Sequence, residues 1–179
     1  KKASHPIVFD FRNFCSTWKW TKRSDVFTHH IHKYPAKLIP YIPIFFLSSR
    51  MCDENDVVMD PFAGSGTVLL ESITHPYYKR NCIGIEINPL ARLIAKVKTT
   101  PLNKDELQRK KEKLFSILKR KNIAPIIPEY DNLSLWFSKS AQNKLVKLRA
   151  CIEKLEDGDC KDFFFACFSS VIRKVSLAD

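Results

Sequence analysis

One stretch constrains this chain more than any other: Asp60-Pro61-Phe62-Ala63-Gly64-Ser65-Gly66-Thr67, which follows directly on Asp56-Val57-Val58-Met59. A short β-branched run of that kind reads as a buried strand. Two glycines flanking a serine let the backbone approach a ligand closely, and the N–H groups of a following helix, expected from about Thr67 to Thr74, point at it. A second strand-like run, Cys82-Ile83-Gly84-Ile85-Glu86, leads into Asn88-Pro89 and a helix through about Lys98. Strand, glycine loop, helix, strand, acid, helix is the opening unit of a doubly wound sheet. The fold class expected is therefore α/β, a partial Rossmann-like arrangement holding the first strands of such a sheet, with a helical C-terminal region.

The loop also restricts its ligand. A dinucleotide fingerprint wants a third glycine three residues after Gly66, where Leu69 stands, and the Gly-Lys-Ser or Gly-Lys-Thr of a phosphate-cradling loop is absent. What remains is a loop for a cofactor without phosphates, one with a methionine tail and an adenosine. Glu86, at the carboxyl end of the neighbouring strand, is placed to accept both ribose hydroxyl protons. Phe62 offers an apolar surface near the cofactor, and Asn88, beyond Ile87, is placed to reach the adenine. A glycine turn beside a solvent-facing glutamate is the plainer reading, but it leaves the order of the elements unexplained.

Three regions are expected: an aromatic and basic arm over residues 1–27, the α/β unit over 28–100, and a helical region over 101–179. The arm is densest at Trp18-Lys19-Trp20-Thr21-Lys22-Arg23, and Ile7-Val8-Phe9 reads as a short strand. The polar stretch from Thr28 leads into an apolar helix ending near Ser48, with Pro35 suited to its entry and Pro40 and Pro43 disturbing its first turns. Asn103 caps a long charged helix to about Lys121, and Pro125 and Pro128 break the chain. Asn132 to Phe137 is a short apolar piece. Ser138 to Glu156 reads as a helix with Leu145, Leu148, Ile152 and Leu155 on one face. After Gly158, a last and largely buried helix is expected over roughly Cys160 to Val175.

A net charge of +11 favours a polyanionic partner, nucleic acid before membrane. No run of about 18 uncharged apolar residues exists to span a bilayer. Six cysteines without a Cys-x-x-Cys pair argue against a zinc site or a secreted disulfide framework and for reduced, mostly buried thiols in a cytoplasmic, nucleoid-associated protein. His29, His30 and His32 cluster without an acid or cysteine at ligand spacing, so a role beside the cofactor or at the surface is preferred to a metal site. The basic helix after Asn103 reads equally as a solvated face or a phosphate-tracking one. Trp136 and Phe137 are assigned to packing.

Asp-Pro-Phe-Ala-Gly-Ser-Gly-Thr resembles the cofactor motif of DNA amino-methyltransferases, which make N4-methylcytosine or N6-methyladenine from S-adenosylmethionine. His32-Lys33-Tyr34-Pro35-Ala36-Lys37 resembles that family's second cofactor segment, which packs beside the glycine loop and holds the methionine end. The resemblance makes Thr28, His29 and Lys37 candidate contacts, with Asp60, Phe62, Ala63, Gly64, Ser65, Gly66, Thr67, Glu86, Ile87 and Asn88. It implies a site-specific enzyme of a modification system acting on DNA, N4-cytosine ahead of N6-adenine. The family's catalytic loop, Asp/Asn/Ser-Pro-Pro-Tyr/Phe, holds the target amino group and stacks on the flipped base. No Pro-Pro occurs in this sequence, and Pro40-Tyr41 and Pro76-Tyr77 follow Ile39 and His75, which do not fit. The expectation is a chain that is truncated or completed by a second polypeptide or by self-association, inactive alone and with no catalytic residue of its own. An RNA base-amino methyltransferase and a non-catalytic cofactor-binding subunit are the alternatives.

Overall fold

The computed structural model describes residues 27–49, 52–120, 128 and 130–177, with Asp10, Arg12, Asn13 and Ser16. The expected strand at Ile7–Phe9, the Trp18–Arg23 cluster and Cys15 lie outside the described residues.

The architecture is mixed α/β around a small parallel sheet. Strand β1 (Val58–Asp60) pairs with β2 (Cys82–Gly84) in the register Val58↔Cys82, Met59↔Ile83 and Asp60↔Gly84. Parallel strands need a crossover, and helix α2 (Thr67–Ile73) supplies it by packing on both strands. Each strand is only three residues long, shorter than the sequence suggests, but the pairing continues as loop hydrogen bonds. Ile85 N–H donates to Asp60 C=O at 2.9 Å, and Ala63 N–H donates to Ile85 C=O at 2.9 Å. These bonds carry the segment leading to Glu86 alongside the glycine loop.

Helix α1 (Tyr41–Leu47) packs on α2 and buries Pro43, Ile44 and Leu47. It begins later than Pro35 suggests, because Ala36 takes φ +52° and turns the chain before a helix can start. Pro40 is its N-cap and Pro43 falls in its first turn, where a missing N–H costs no intrahelical bond. Helix α3 (Pro89–Thr99) starts where expected: Asn88 Oδ1 accepts from the N–H groups of Leu90 (2.9 Å) and Ala91 (3.3 Å), and Pro89 occupies the first turn. Its inner face, Ala91, Ile94, Ala95 and Lys98, packs towards α2.

A second core lies in the helical region. Helices α4 (Lys104–Leu118), α6 (Lys139–Glu153) and α7 (Asp159–Lys174) enclose Leu114, Ile117, Cys151, Ile152 and Leu155. Asn103 and Ser138 cap α4 and α6 as their positions suggest, while the short apolar piece forms one turn of helix, α5 (Leu133–Trp136). Glu156 receives Lys110 Nζ at 2.5 Å and Lys113 Nζ at 2.6 Å, and these two ammonium groups hold its carboxyl at about 2, well below the usual range. Lys96 on α3 meets Asp162 (2.6 Å) and Asp159 (3.1 Å) in the first turn of α7, joining this core to the α/β unit.

The last helix is not largely buried. Only Cys160 and Ala166 are fully inside; α7 packs on α3, α6 and α4, positions 161–165 and 167–170 are half-buried, and after Asp159 the exposed positions gather near its end at 171, 173 and 174. Among the five described cysteines, all free, Cys151 and Cys160 are buried and Cys52, Cys82 and Cys167 are half-buried. Among the described residues, no helix is long and apolar enough to cross a membrane.

Candidate cofactor site

The loop is built by its own polar groups. Asp60 closes β1 and its Oδ1 accepts from Phe62 N–H at 3.0 Å, which turns the chain out of the sheet. Gly64 (φ +51°) and Gly66 (φ +75°) then adopt left-handed backbone, and Gly66 N–H closes a tight turn onto Ala63 C=O at 2.8 Å. The two glycines are needed for different reasons. A Cβ on Gly66 would lie 2.8 Å from Ala95 Cβ and 2.9 Å from Ala95 Cα, so its bare backbone is what lets the loop sit against α3. A Cβ on Gly64 would meet only Phe62 O at 3.9 Å and would project into open space.

Glu86 ties both halves of the site together. Its Oε2 accepts from Gly64 N–H and its Oε1 from Asn88 N–H, both at 2.8 Å. The acid that follows β2 thus holds the tip of the glycine loop and the entry to α3 in one geometry. Each carboxylate oxygen retains a lone pair for a further donor.

Behind the loop lies a buried polar network that the sequence does not announce. Lys98 Nζ donates to Ser65 C=O at 2.8 Å and to Ser65 Oγ at 3.2 Å, with both residues buried. Desolvation by burial, reinforced by the nearby Lys37 ammonium, lowers Lys98 to about 8. Thr28 Oγ1 donates to Lys98 C=O at 2.7 Å. His29 Nε2 pairs with Glu71 Oε1 at 2.6 Å, both side chains fully buried. Lys37 Nζ donates to His29 C=O at 3.0 Å; burial lowers its pKa and the Glu71 carboxylate opposes that shift. The 28–37 segment is therefore anchored to α2 and α3 through hydrogen bonds, and Lys98 of α3 in turn holds the glycine loop.

In front of the loop is a cavity of about 310 Å³, walled by Tyr34, Ala36, Lys37 and Leu38 on one side and by Asp60, Phe62, Ala63, Gly64, Ser65, Thr67 and Val68 on the other. That volume falls in the range of small-molecule sites. A larger cavity of about 470 Å³ lies between α5, α6 and α7, lined by Trp136, Phe137, Leu145 and Phe168 among others. It is mainly apolar, with Tyr130, Asp131, Gln142 and Arg149 as its polar groups, whereas the glycine loop combines open backbone with Glu86 and is the candidate site.

The structure brings Lys37, Asp60, Phe62, Ala63, Gly64, Ser65 and Thr67 to this cavity. Glu86 and Asn88 join it through the loop, and Gly66 seats the loop on Ala95. Phe62 and Ile87 are 88% and 94% exposed, so their apolar side chains stand open to a ligand or a further segment. Thr28 and His29 face the framework through Lys98 and Glu71. Asn88 spends its carbonyl oxygen on the α3 cap, leaving only its amide N–H groups for another partner. Sequence reasoning missed Lys98 and Glu71. Both lie on buried helical stripes, Ala91–Ile94–Ala95–Lys98 and Thr67–Leu70–Glu71, and a charged residue at an inward position was the available signal.

The family model described as DNA methylase matches residues 6–97, a span that contains β1, the glycine loop, Glu86 and most of α3. The chain belongs to this family of N6- and N4-directed DNA methylases. It is 34% identical over 159 residues to the type II methyltransferase M.MvaI of Kocuria varians, an alignment covering 83% of this chain and 34% of that relative. It is 39% identical over 92 residues to the type II methyltransferase M.MjaII of Methanocaldococcus jannaschii, covering 51% of this chain and 16% of that protein. The chain thus spans about a third of the first relative and about a sixth of the second. No solved structure matches it.

Proposed function

We propose that this chain forms the S-adenosylmethionine-binding part of a site-specific DNA methyltransferase that modifies an exocyclic base amino group, N4 of cytosine ahead of N6 of adenine. The observation that carries the reading is the junction of Gly64, Glu86 and Asn88: one carboxylate fixes the loop and keeps lone pairs for two ribose hydroxyls. The fit to the cofactor is supported by the open space in front of Gly64, which a Cβ would take up, and by a loop that matches neither the dinucleotide nor the Gly-Lys-Ser/Thr phosphate pattern. Lys37, with one donor held by His29, has others for the methionine carboxylate. Asn88 offers its amide N–H groups to the adenine, and Phe62 gives the cavity an apolar edge. Thr28, His29, Glu71 and Lys98 act one step back, holding Ser65 and the 28–37 segment in place. Bound there, S-adenosylmethionine supplies an electrophilic methyl group.

The catalytic Pro-Pro-aromatic loop is proposed to come from a further segment or a second polypeptide, because no Pro-Pro exists in these 179 residues. The sheet supports this. Val57, Met59, Ile83 and Ile85 are 51–57% exposed, an apolar face that a parallel sheet normally covers. A cofactor-binding subunit that supports a catalytic partner is the second reading. Tritiated-methyl transfer to mixed genomic DNA tests both: the purified chain is expected to give none, and to support transfer when a polypeptide carrying Asp/Ser-Pro-Pro-Tyr is added. Clear incorporation by the chain alone would mean that an unrecognised loop does the chemistry.

A further inference from the structure

Several cations in and beside the helical region are neutralised close by. Lys96 meets Asp159 and Asp162, Lys110 and Lys113 share Glu156, Arg149 meets Glu153, and Lys161 meets Asp157. Three unpaired cations are instead gathered in one cleft, where the 28–37 segment meets the end of α7. There His30, His32, Lys33, Ser170, Arg173 and Lys174 line a cleft of about 300 Å³, with no acidic side chain in its wall among the described residues. Lys33, Arg173 and Lys174 have no carboxylate partner among the described residues. The cleft is assembled by the tertiary fold: His32 Nε2 lies 3.1 Å from Ser169 Oγ, a contact between residues 137 apart in sequence. Arg173 and Lys174 also stand in the last turn of α7, where cations offset the helix dipole. That role needs neither Lys33 nor two histidines facing them from another segment. Cations held together without counter-charges repel one another, and an anion in the cleft removes that repulsion. Arg presents a planar fork matched to phosphate oxygens, while Lys and Ser add further donors.

We propose that this cleft binds the phosphodiester backbone of DNA and holds the duplex next to the cofactor loop. Lys33 adjoins Tyr34, which walls the cofactor cavity, so a phosphate seated here lies close to the site of methyl donation. This inference rests on the reading of the chain as part of a DNA methyltransferase, and the test separates the two.

Fluorescence anisotropy of a labelled duplex is measured over a range of salt concentrations for the wild type and three variants, beside calorimetry with S-adenosylmethionine. The double variant Arg173→Gln/Lys174→Gln is expected to bind DNA roughly tenfold or more weakly at about 0.1 M salt, with the slope of log K against log salt reduced by about 2. Lys33→Gln should reduce that slope by about 1. Arg109→Gln/Lys111→Gln, two exposed positions on α4, removes the same charge elsewhere and should leave the slope near that of the wild type. Cofactor affinity should be unchanged in the Arg173/Lys174 variant. Equal losses in the Arg109/Lys111 variant, an unchanged slope in the Arg173/Lys174 variant, or a wild type that binds cofactor but not DNA would each overturn the cleft. Displacement of the duplex by inorganic phosphate at matched ionic strength would overturn it too, by showing a site for the free ion. Failure of the wild type to bind S-adenosylmethionine would instead strike the methyltransferase reading.

Discussion

Alanine at Gly66 and at Gly64 should have different consequences, although both glycines have positive φ in one short loop. At Gly66, an alanine must hold φ near +75°, which costs about 1–2 kcal/mol for an L residue. Its Cβ would also stand 2.8 Å from Ala95 Cβ and 2.9 Å from Ala95 Cα, against ordinary carbon contacts of about 3.5–4.0 Å. Neither atom is the end of a flexible side chain, so α3 or the loop must move, at about 1–3 kcal/mol for overpacking of this kind. The stiffer unfolded chain returns about 0.4–1 kcal/mol. The net expectation is a destabilisation of about 2–4 kcal/mol, or a fall in Tm of about 5–15 °C for a chain of this size. At Gly64, only the backbone term applies, and Gly64→Ala should cost no more than about 1–1.5 kcal/mol. Its Cβ, however, projects into the cavity, so cofactor affinity should fall more than stability does. Urea titrations of both variants, with calorimetry on each, measure the two effects. Equal destabilisation, or a larger one at Gly64, would refute the account of how the loop packs.

Two further perturbations bear on the network and the sheet. Lys98 is held at about 8 against an ordinary 10.5, so as pH rises the folded state releases this proton first. The unfolded chain then carries more protons between about pH 8 and 10.5, and the stability contribution of Lys98 rises across that window by up to about 3 kcal/mol and is flat below it. Thermal melts of the wild type and Lys98→Met from pH 7 to 9.5 should show the wild type gaining on the variant above pH 8; parallel curves would refute the assignment. The open apolar face of Val57, Met59, Ile83 and Ile85 should be covered by a second polypeptide or another copy, burying more than the roughly 1,200–2,000 Å² of an ordinary interface. Light scattering at low micromolar concentration should report association, and a cooperatively unfolding monomer would count against it.

The elements that the sequence disclosed are those governed by local chemistry. Asn103 caps the helix it was expected to cap, and the helices expected to begin at Asn88-Pro89 and Ser138 do so, because a side-chain oxygen two or three residues from an unpaired N–H acts without distant help. The glycine loop was legible for the same reason: positive φ at Gly64 and Gly66 is a local demand. Strand length was not, since a strand extends only as far as its neighbours support it, and β1 and β2 have only each other among the described residues. Burial of α7 was overestimated because its aromatics at 163–165 suggest a helix enclosed all round, whereas Phe164 and Phe165 pack on the helical core only in part and stay half-buried. Within the site, Glu86 was found from its place after a strand. Lys98 and Glu71 were passed over because a lone charge suggests solvent unless its helical stripe is traced, and the His32–Ser169 contact joins segments too distant for any local rule.

The central claim is that the glycine loop and Glu86 form one cofactor site, and calorimetric titration with S-adenosylmethionine, wild type against Glu86→Ala, tests it most directly. Saturable binding is expected in the wild type. The variant should lose about 1.5–3 kcal/mol, roughly ten- to a hundredfold in Kd, because the charge-assisted bonds to the ribose are removed and the Gly64 and Asn88 N–H groups lose their shared acceptor. Equal affinities in the two proteins would contradict the claim, showing that Glu86 holds the loop without touching the cofactor.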